Sequence, residues 1–269
     1  MTFQQWFFGG IDNPRVENQW GLLHILTLIV SIVCIFGLYF IVKYSKNKAK
    51  TTRCIILVLA LSILFFELAS RVMYVGKKYV LQQPGWEELS LLWIILPKPW
   101  CAIACWALMF APFINKKFFY NYASLSALLC SLIFFSYPGV GFNNEYILFD
   151  NVYSIVTHAL LLITSVTLIT LKVTDFRYKD FWKFAVCLVA TFVYGLIEIF
   201  ILKIYTDPMY FMPNGDIQAG ILNISYGLYL FLYVFLILFY VNAFYLIQDR
   251  QAVKVFFAKM FKRRSPTSR

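Results

Sequence analysis

Long apolar runs separated by short polar segments divide this chain. A helix rises 1.5 Å per residue, so about 20 apolar residues cross the roughly 30 Å hydrocarbon core of a bilayer. Seven runs reach that length. The pattern therefore predicts seven transmembrane helices, at Trp20–Tyr44, Arg53–Val75, Ser90–Ile114, Phe118–Ser136, Asn151–Leu171, Phe181–Lys203 and Ile217–Gln248. It indicates one transmembrane domain over residues 1–248, followed by a basic tail over residues 249–269.

The composition supports the membrane class. Hydrophobic residues make up 61% of the 269 residues and charged residues only 14%. Soluble domains carry about 25% charged residues. The chain is therefore predicted to be an all-α, polytopic integral membrane protein.

The net charge of +11 raises the alternative of nucleic-acid binding, which the positions of the charges exclude. Most of the 24 basic residues lie after the first, third, fifth and seventh apolar runs, and the other connecting segments are acidic. Lys and Arg are enriched in cytoplasmic segments of membrane proteins. The pattern thus predicts a multi-pass protein of the cell membrane, with its N-terminus outside and its C-terminus in the cytoplasm.

The third run contains an unusual stretch, "LPKPWC", which ends at Cys101. Proline removes a backbone donor and clashes with the preceding helical turn, so Pro97 and Pro99 predict a break or kink there. A second helical segment beginning near Pro99 would place Cys101 in its first turn. Free N–H groups and the positive end of the helix dipole would then favour a reactive thiolate. A kinked helix with one buried cysteine is the structural alternative.

Few other ionisable residues lie within the predicted spans, and such residues are functional candidates because burying them in a bilayer is costly. Counted from the span ends, they and Cys101 lie in the outer half of the membrane or at its lower border. Glu67 and Arg71 have the i,i+4 spacing of a helical ion pair, and structural roles stay open for each candidate. The candidates are His24, Glu67, Arg71, His158 and Glu198.

Other kinds of site leave no trace in the sequence. The six cysteines show no CxxC or Cys/His spacing, and phosphate-binding loops and nucleotide fingerprints are absent. No metal and no cofactor are therefore expected.

The order of these motifs resembles the YwaF-like family of bacterial integral membrane proteins, whose third-span motif reads roughly LPLHLC. That family has animal relatives that include a transmembrane acyltransferase, which transfers polyunsaturated acyl chains to lyso ether phospholipids through a membrane cysteine. Matched by motif, the family cysteine falls on Cys101 and the fifth-span histidine on His158, in "THALL". The first-span histidine falls on His24, and the second-span acid on Glu67. One departure is Pro99, which stands where the family usually has histidine.

The resemblance and the residues together lead to a functional hypothesis. Cys101 is expected to carry an acyl group as a thioester between lipids, with His158 as the base. Glu67, Arg71, Glu198 and His24 are expected to bind substrate, and the expected partners are membrane phospholipids or lysolipids. Two alternatives remain. One is a carrier or binding protein for a small polar solute, and the other is a lipid hydrolase with water as the acyl acceptor.

Overall fold

A computed structural model describes most of the chain as a bundle of helices. It covers residues 1–9, 11–14, 21–83, 85–86, 88–136, 142, 144–204, 206–215 and 222–249. The α-helices in chain order are α1 Phe3–Phe8, α2 Leu22–Tyr44, α3 Lys48–Val75, α4 Leu91–Ile95, α5 Trp100–Ile114, α6 Lys117–Ser136, α7 Phe149–Thr170, α8 Phe181–Leu196 and α9 Tyr226–Gln248. A π-helical turn extends α3 over Gly76–Val80, and another extends α8 over Ile197–Ile201.

Six of these helices are long and apolar enough to cross a membrane: α2, α3, α6, α7, α8 and α9. The predicted third span is present as two pieces, the short α4 and the 15-residue α5. The chain is therefore an all-helical, multi-pass membrane protein, as its composition predicts. A seventh crossing by α4 and α5 together, and the direction of insertion, stay predictions.

Two predicted boundaries are wrong. The second span begins five residues early, at Lys48, because Asn47 caps the helix by accepting a hydrogen bond from the Lys50 N–H at 3.0 Å. The last helix begins at Tyr226 rather than at residue 217, since Asn223 has a left-handed backbone and Ser225 is the N-cap. Residues 217–221 and the basic tail from residue 250 onward lie outside the described residues.

The helices differ sharply in how much protein surrounds them. In α6, 67% of the most apolar stretch is buried, against 11% in α2 and in α9. The central helix α6 packs against α5, α7 and α8, while α3 packs against α5 and α7. The peripheral helices expose large apolar side chains such as Val33, Phe36 and Phe239. An unpartnered apolar face of this kind is what a helix presents to lipid.

The short helix α1 lies against the ends of α3 and α7. Phe7 packs on Phe149 with ring centroids 4.5 Å apart, and the Trp6 indole N–H donates to the Ile147 carbonyl at 3.0 Å. The same end carries an ion pair between Lys77 and Asp150, with N···O at 2.6 Å. These contacts fix the N-terminal segment over one end of the bundle.

Candidate functional site

The predicted break in the third span is confirmed. Helix α4 ends at Ile95, and α5 begins at Trp100 with Pro99 as its N-cap. Pro97 and Pro99 cannot donate backbone hydrogen bonds, which explains why the helix does not continue through them. Cys101 is consequently the second residue of α5 and lies in its first turn.

Three neighbouring elements contact the polar backbone of this break. The Arg71 Nε on α3 donates to the Ile95 carbonyl at 3.3 Å, and the Tyr194 hydroxyl on α8 donates to the Pro97 carbonyl at 3.3 Å. The Trp100 N–H donates to the Pro208 carbonyl at 2.8 Å. Irregular backbone at membrane depth is tolerated only where it is buried in protein or lines a cavity. The break meets that requirement through contacts from α3, α8 and the segment after α8.

That segment, residues 206–215, is the α8–α9 loop, and it covers the start of α5. Three tyrosine hydroxyls of α9 donate to its backbone carbonyls, in the pairs Tyr226–Phe211, Tyr229–Tyr210 and Tyr233–Met209. The Asp207 carboxylate accepts from two N–H groups of the loop, at 2.8 and 3.1 Å. Met209 is fully buried and packs beside Gly195 of α8. The loop is thus held in place by both flanking helices.

The thiol of Cys101 is partly buried under this loop. The Tyr210 hydroxyl and the backbone N–H groups of Cys101 and Ala102 lie around the sulfur. The Ala102 N–H also donates to the Pro99 carbonyl at 2.9 Å. Burial of the sulfur is the strongest influence on this thiol and opposes a thiolate, and the Ala102 N–H and Tyr210 hydroxyl offset only part of it.

Glu67 is nearly buried and forms a polar junction of three helices. Its carboxylate accepts from Arg71 at 3.1 Å on the same helix, which confirms the predicted i,i+4 ion pair. It also accepts from the Trp106 indole at 2.9 Å on α5 and from the Tyr153 hydroxyl at 2.6 Å on α7. A buried carboxylate with three donors is well satisfied. Glu67 therefore connects α3, α5 and α7.

Glu198 is fully buried, but its surroundings are different. It lies in the π-helical turn after α8, and neither carboxylate oxygen has a hydrogen-bond partner among the described residues. The Tyr194 hydroxyl lies near this carboxylate but donates its hydrogen bond to the Pro97 carbonyl. Lys98, in the break, is close enough to attract the Glu198 carboxylate electrostatically. No ion pair joins the two side chains in the described structure.

The two histidines lie together but apart from this break. His24 stacks on Phe142 at 4.4 Å, and His158 stacks on Phe134 at 3.8 Å, within one aromatic cluster between α2, α6 and α7. The His158 Nδ1 is 2.7 Å from the Ser154 carbonyl oxygen. No hydrogen bond links His158 to Cys101 within the part of the chain that the structure describes.

The helical repeat explains this separation. On α7, Tyr153 points at Glu67, and five residues at about 100° each turn His158 roughly 140° away from that direction. The predicted polar layer is therefore divided. Arg71, Glu198 and Cys101 lie at the break and Glu67 is joined to it through Arg71, while His24 and His158 belong to the aromatic cluster.

Several residues at the break were not predicted as site residues. Lys98 had a visible signal, because a lysine inside an apolar run is costly unless it is paired or functional. Tyr194 and Tyr210 had none, since tyrosine is common throughout this chain. We define the break site as the residues that surround the interruption: Arg71, Lys98, Cys101, Tyr194, Glu198 and Tyr210.

A cavity of about 530 Å³ lies elsewhere, between the α7–α8 connection and the end of α9. Two of its three cations already have partners. The Lys117 ammonium donates to the Val173 carbonyl at 2.6 Å, and Arg177 pairs with Asp175 at 2.8 Å. This cavity has no cysteine in its wall, so the break site is the better candidate for thiol chemistry.

Within the described ranges, no group of three or more His, Cys, Asp or Glu side chains is arranged to hold a metal ion. All six cysteines are free.

No family model matches the chain, and no curated protein or solved structure does either.

Proposed function

We propose that this protein is a membrane-embedded acyltransferase that moves a fatty acyl chain between lipids through a thioester on Cys101. The observation that carries the proposal is the position of Cys101, in the first turn of a helix that begins inside an interrupted span. Backbone N–H groups and the Tyr210 hydroxyl surround its sulfur there. These donors favour a thiolate while burial of the sulfur opposes it, so the proposed reaction needs a base to take the thiol proton.

The reaction balances without a cofactor. The thiol gives its proton to a base, and the thiolate attacks the ester carbonyl of a donor phospholipid. The ester C–O bond breaks, and the departing lysolipid alkoxide takes up a proton. A lipid hydroxyl, deprotonated by the base, then attacks the thioester, which transfers the acyl chain and restores the thiol.

His158 is the predicted base, and in the proposal it must leave its present contacts to act. Its ring stacks on Phe134 and its Nδ1 faces the Ser154 carbonyl, on a side of α7 turned away from Glu67, so the proposal requires α7 to rotate and bring the ring toward Cys101. Arg71 and Glu198 are the better-placed candidates for head-group binding, since both contact or adjoin the break. Glu67 would orient Arg71, while the stacking of His24 on Phe142 is typical of packing.

The proposal includes a location. The protein is inserted in the cell membrane with its N-terminus outside, as the distribution of basic residues favours. The break site then lies toward the outer face, and the substrates are phospholipids or lysolipids of the outer leaflet.

Peptide mass spectrometry of the purified protein after incubation with a donor phospholipid tests this function. The expected result is an acyl adduct on Cys101 that hydroxylamine removes and that a lysolipid acceptor discharges. Cys105→Ser is the matched control, because Cys105 lies one turn further along the same helix and is buried. His158→Ala is expected to slow adduct formation. An unlabelled Cys101, or equal labelling of several cysteines, would contradict acyl transfer through Cys101.

A carrier for a small polar solute is the second candidate, and the buried, unpartnered carboxylate of Glu198 favours it. A carrier would keep its uptake activity in Cys101→Ala and lose it in Glu198→Gln. Hydrolysis differs from transfer only in the acceptor. It would release free fatty acid from the thioester even when no lysolipid is added.

A further inference from the structure

Two opposite charges, Lys98 and Glu198, lie at the break without forming an ion pair with each other in the described structure. The Lys98 ammonium sits 3.8 Å from the ring centroid of Trp93, and each of Lys98 and Glu198 lies within electrostatic range of the other. No salt bridge joins them among the described residues. Charges removed from water are costly unless they are paired. A fully buried anion with no hydrogen bond and a half-buried cation held only against a ring therefore point to a missing partner of opposite charge for each.

The surrounding contacts place both charges at the same interruption. Tyr194 lies one turn before Glu198 on the same helix, and its hydroxyl bonds the carbonyl of Pro97, the residue before Lys98. Arg71 is already committed to Glu67, Ser70 and the Ile95 carbonyl. Arg71 therefore cannot neutralise Glu198 without giving up those bonds. Lys98 and Glu198 remain as the unmatched pair.

We infer that Lys98 and Glu198 form a binding site for a zwitterionic group, with the ligand's ammonium on Glu198 and its anionic group on Lys98. A ligand that carries both charges satisfies both residues at once, whereas an anion would leave the carboxylate unpaired. The pair thus selects for amine-bearing head groups and against purely anionic ones. This site deepens the proposed acyl transfer, on which its lipid substrate rests.

Two sources supply this chemistry. One is the head group of an amine-bearing phospholipid, and the other is a small free zwitterion such as phosphoethanolamine. The position beside Cys101 in an interrupted span favours the lipid. If the protein is a carrier, the free compound is the expected ligand.

The test is native mass spectrometry of the full-length protein in detergent. Lysophosphatidylethanolamine and lysophosphatidylglycerol of the same chain length are offered at equal concentration. The protein carries Cys101→Ala, so binding is measured without thioester formation. We expect about tenfold preference for the ethanolamine lipid, since discrimination by one charged contact is of that order. Equal binding of the two lipids would overturn the site.

Isosteric variants assign the two charges. Glu198→Gln is expected to abolish the preference, and Lys98→Gln to weaken binding of both lipids by several fold. Glu145→Gln, at an exposed glutamate, is the matched control and should keep the preference. A preference that survives in Glu198→Gln would overturn the assignment. If one variant does not fold, the other variant and the two-lipid comparison still decide.

Free phosphoethanolamine added as a competitor separates the sources. Displacement only at concentrations far above that of the lipid supports a lipid head-group site. Displacement at equal concentration would show that the site binds a soluble solute rather than a lipid. If the ethanolamine lipid is still preferred but the wild-type protein never acquires an acyl adduct on Cys101, the binding site is supported and acyl transfer is rejected. The binding site and the acyl transfer can therefore fail separately.

Discussion

Glu67 and Glu198 are the two most deeply buried acids in the described structure, and they are placed in contrasting ways. Both lie within spanning helices, and both adjoin the interrupted third span. The Glu67 carboxylate accepts hydrogen bonds from three helices. The Glu198 carboxylate accepts none from the described residues.

The contrast separates a residue that holds the bundle from one that is available to a ligand. Three donors compensate the loss of hydration at Glu67, so the folded protein gains by keeping the charge there. Glu198 has lost hydration without gaining a hydrogen bond in the described structure, which costs stability. A buried cost of this kind is typical of binding and catalytic sites, where the partner is supplied by the substrate.

The largest expected effect is at Glu67. Glu67→Ala removes the acceptor of Arg71, Trp106 and Tyr153 together, and we expect the free energy of unfolding to fall by about 3 kcal/mol or more. Unfolding in mixed detergent micelles measures it. Glu145→Ala removes an exposed acid and should change the value by less than about 0.5 kcal/mol. Similar values for the two variants would show that Glu67 does not hold the helices together.

Removing one donor from the same junction has a smaller effect. Tyr153→Phe deletes only the hydroxyl that bonds Glu67 at 2.6 Å, and a hydrogen bond to a charged group contributes about 2 kcal/mol. The same unfolding measurement detects the loss. Tyr44→Phe, at an exposed position, is the control. Should both substitutions leave stability unchanged, the short contact between α7 and α3 would not be a stabilising one.

Substitutions at two glycines test the packing of the α8–α9 loop near Glu198. A Cβ on Gly195 would lie 2.6 Å from the Met209 Cγ, so Gly195→Ala should push the α8–α9 loop outward. We expect a loss of about 1 kcal/mol, because methionine adapts to crowding, and faster maleimide labelling of Cys101. Gly227→Ala on α9 meets nothing within 4 Å and should change neither quantity. Equal labelling rates in both variants would contradict a covering role for the loop.

The smallest change expected in stability is at Glu198 itself. Glu198→Gln replaces an uncompensated carboxylate by a neutral amide, so the free energy of unfolding should stay within about 0.5 kcal/mol or rise. Glu67→Gln, the same substitution at the satisfied acid, should lower it by about 2 kcal/mol. A marked loss in Glu198→Gln would mean that Glu198 stabilises the fold, and the contrast between the two acids would disappear.

Local features of the sequence predicted a large part of this structure. Apolar run length predicted the long helices, and the chemistry of Pro97 and Pro99 predicted the break and the place of Cys101 in α5. The spacing of Glu67 and Arg71 predicted their ion pair. Each of these rests on residues that are close in the chain, where helix geometry alone decides the outcome.

Contacts between helices were beyond such reasoning. The rotation of each helix about its axis decides whether His158 faces Cys101 or the aromatic cluster, and no short motif specifies it. The donors to Glu67 from α5 and α7 depend on the same rotations. The start of α9 was missed because "ILNIS" is apolar enough to extend the hydrophobic run. The helix does not extend through it, because Asn223 has a left-handed backbone and Ser225 is the N-cap.

The three hydrogen bonds to the interrupted backbone have a consequence for access. Ile95, Pro97 and Trp100 are each bonded by a different element, and giving up any one bond would leave a polar backbone group unpaired in apolar surroundings. A molecule that enters the break must therefore form new hydrogen bonds in place of those it displaces. Bare hydrocarbon cannot do so. We therefore expect the surrounding acyl chains, although far more abundant than any substrate, to be kept out by the cost of breaking these bonds rather than by a closed barrier.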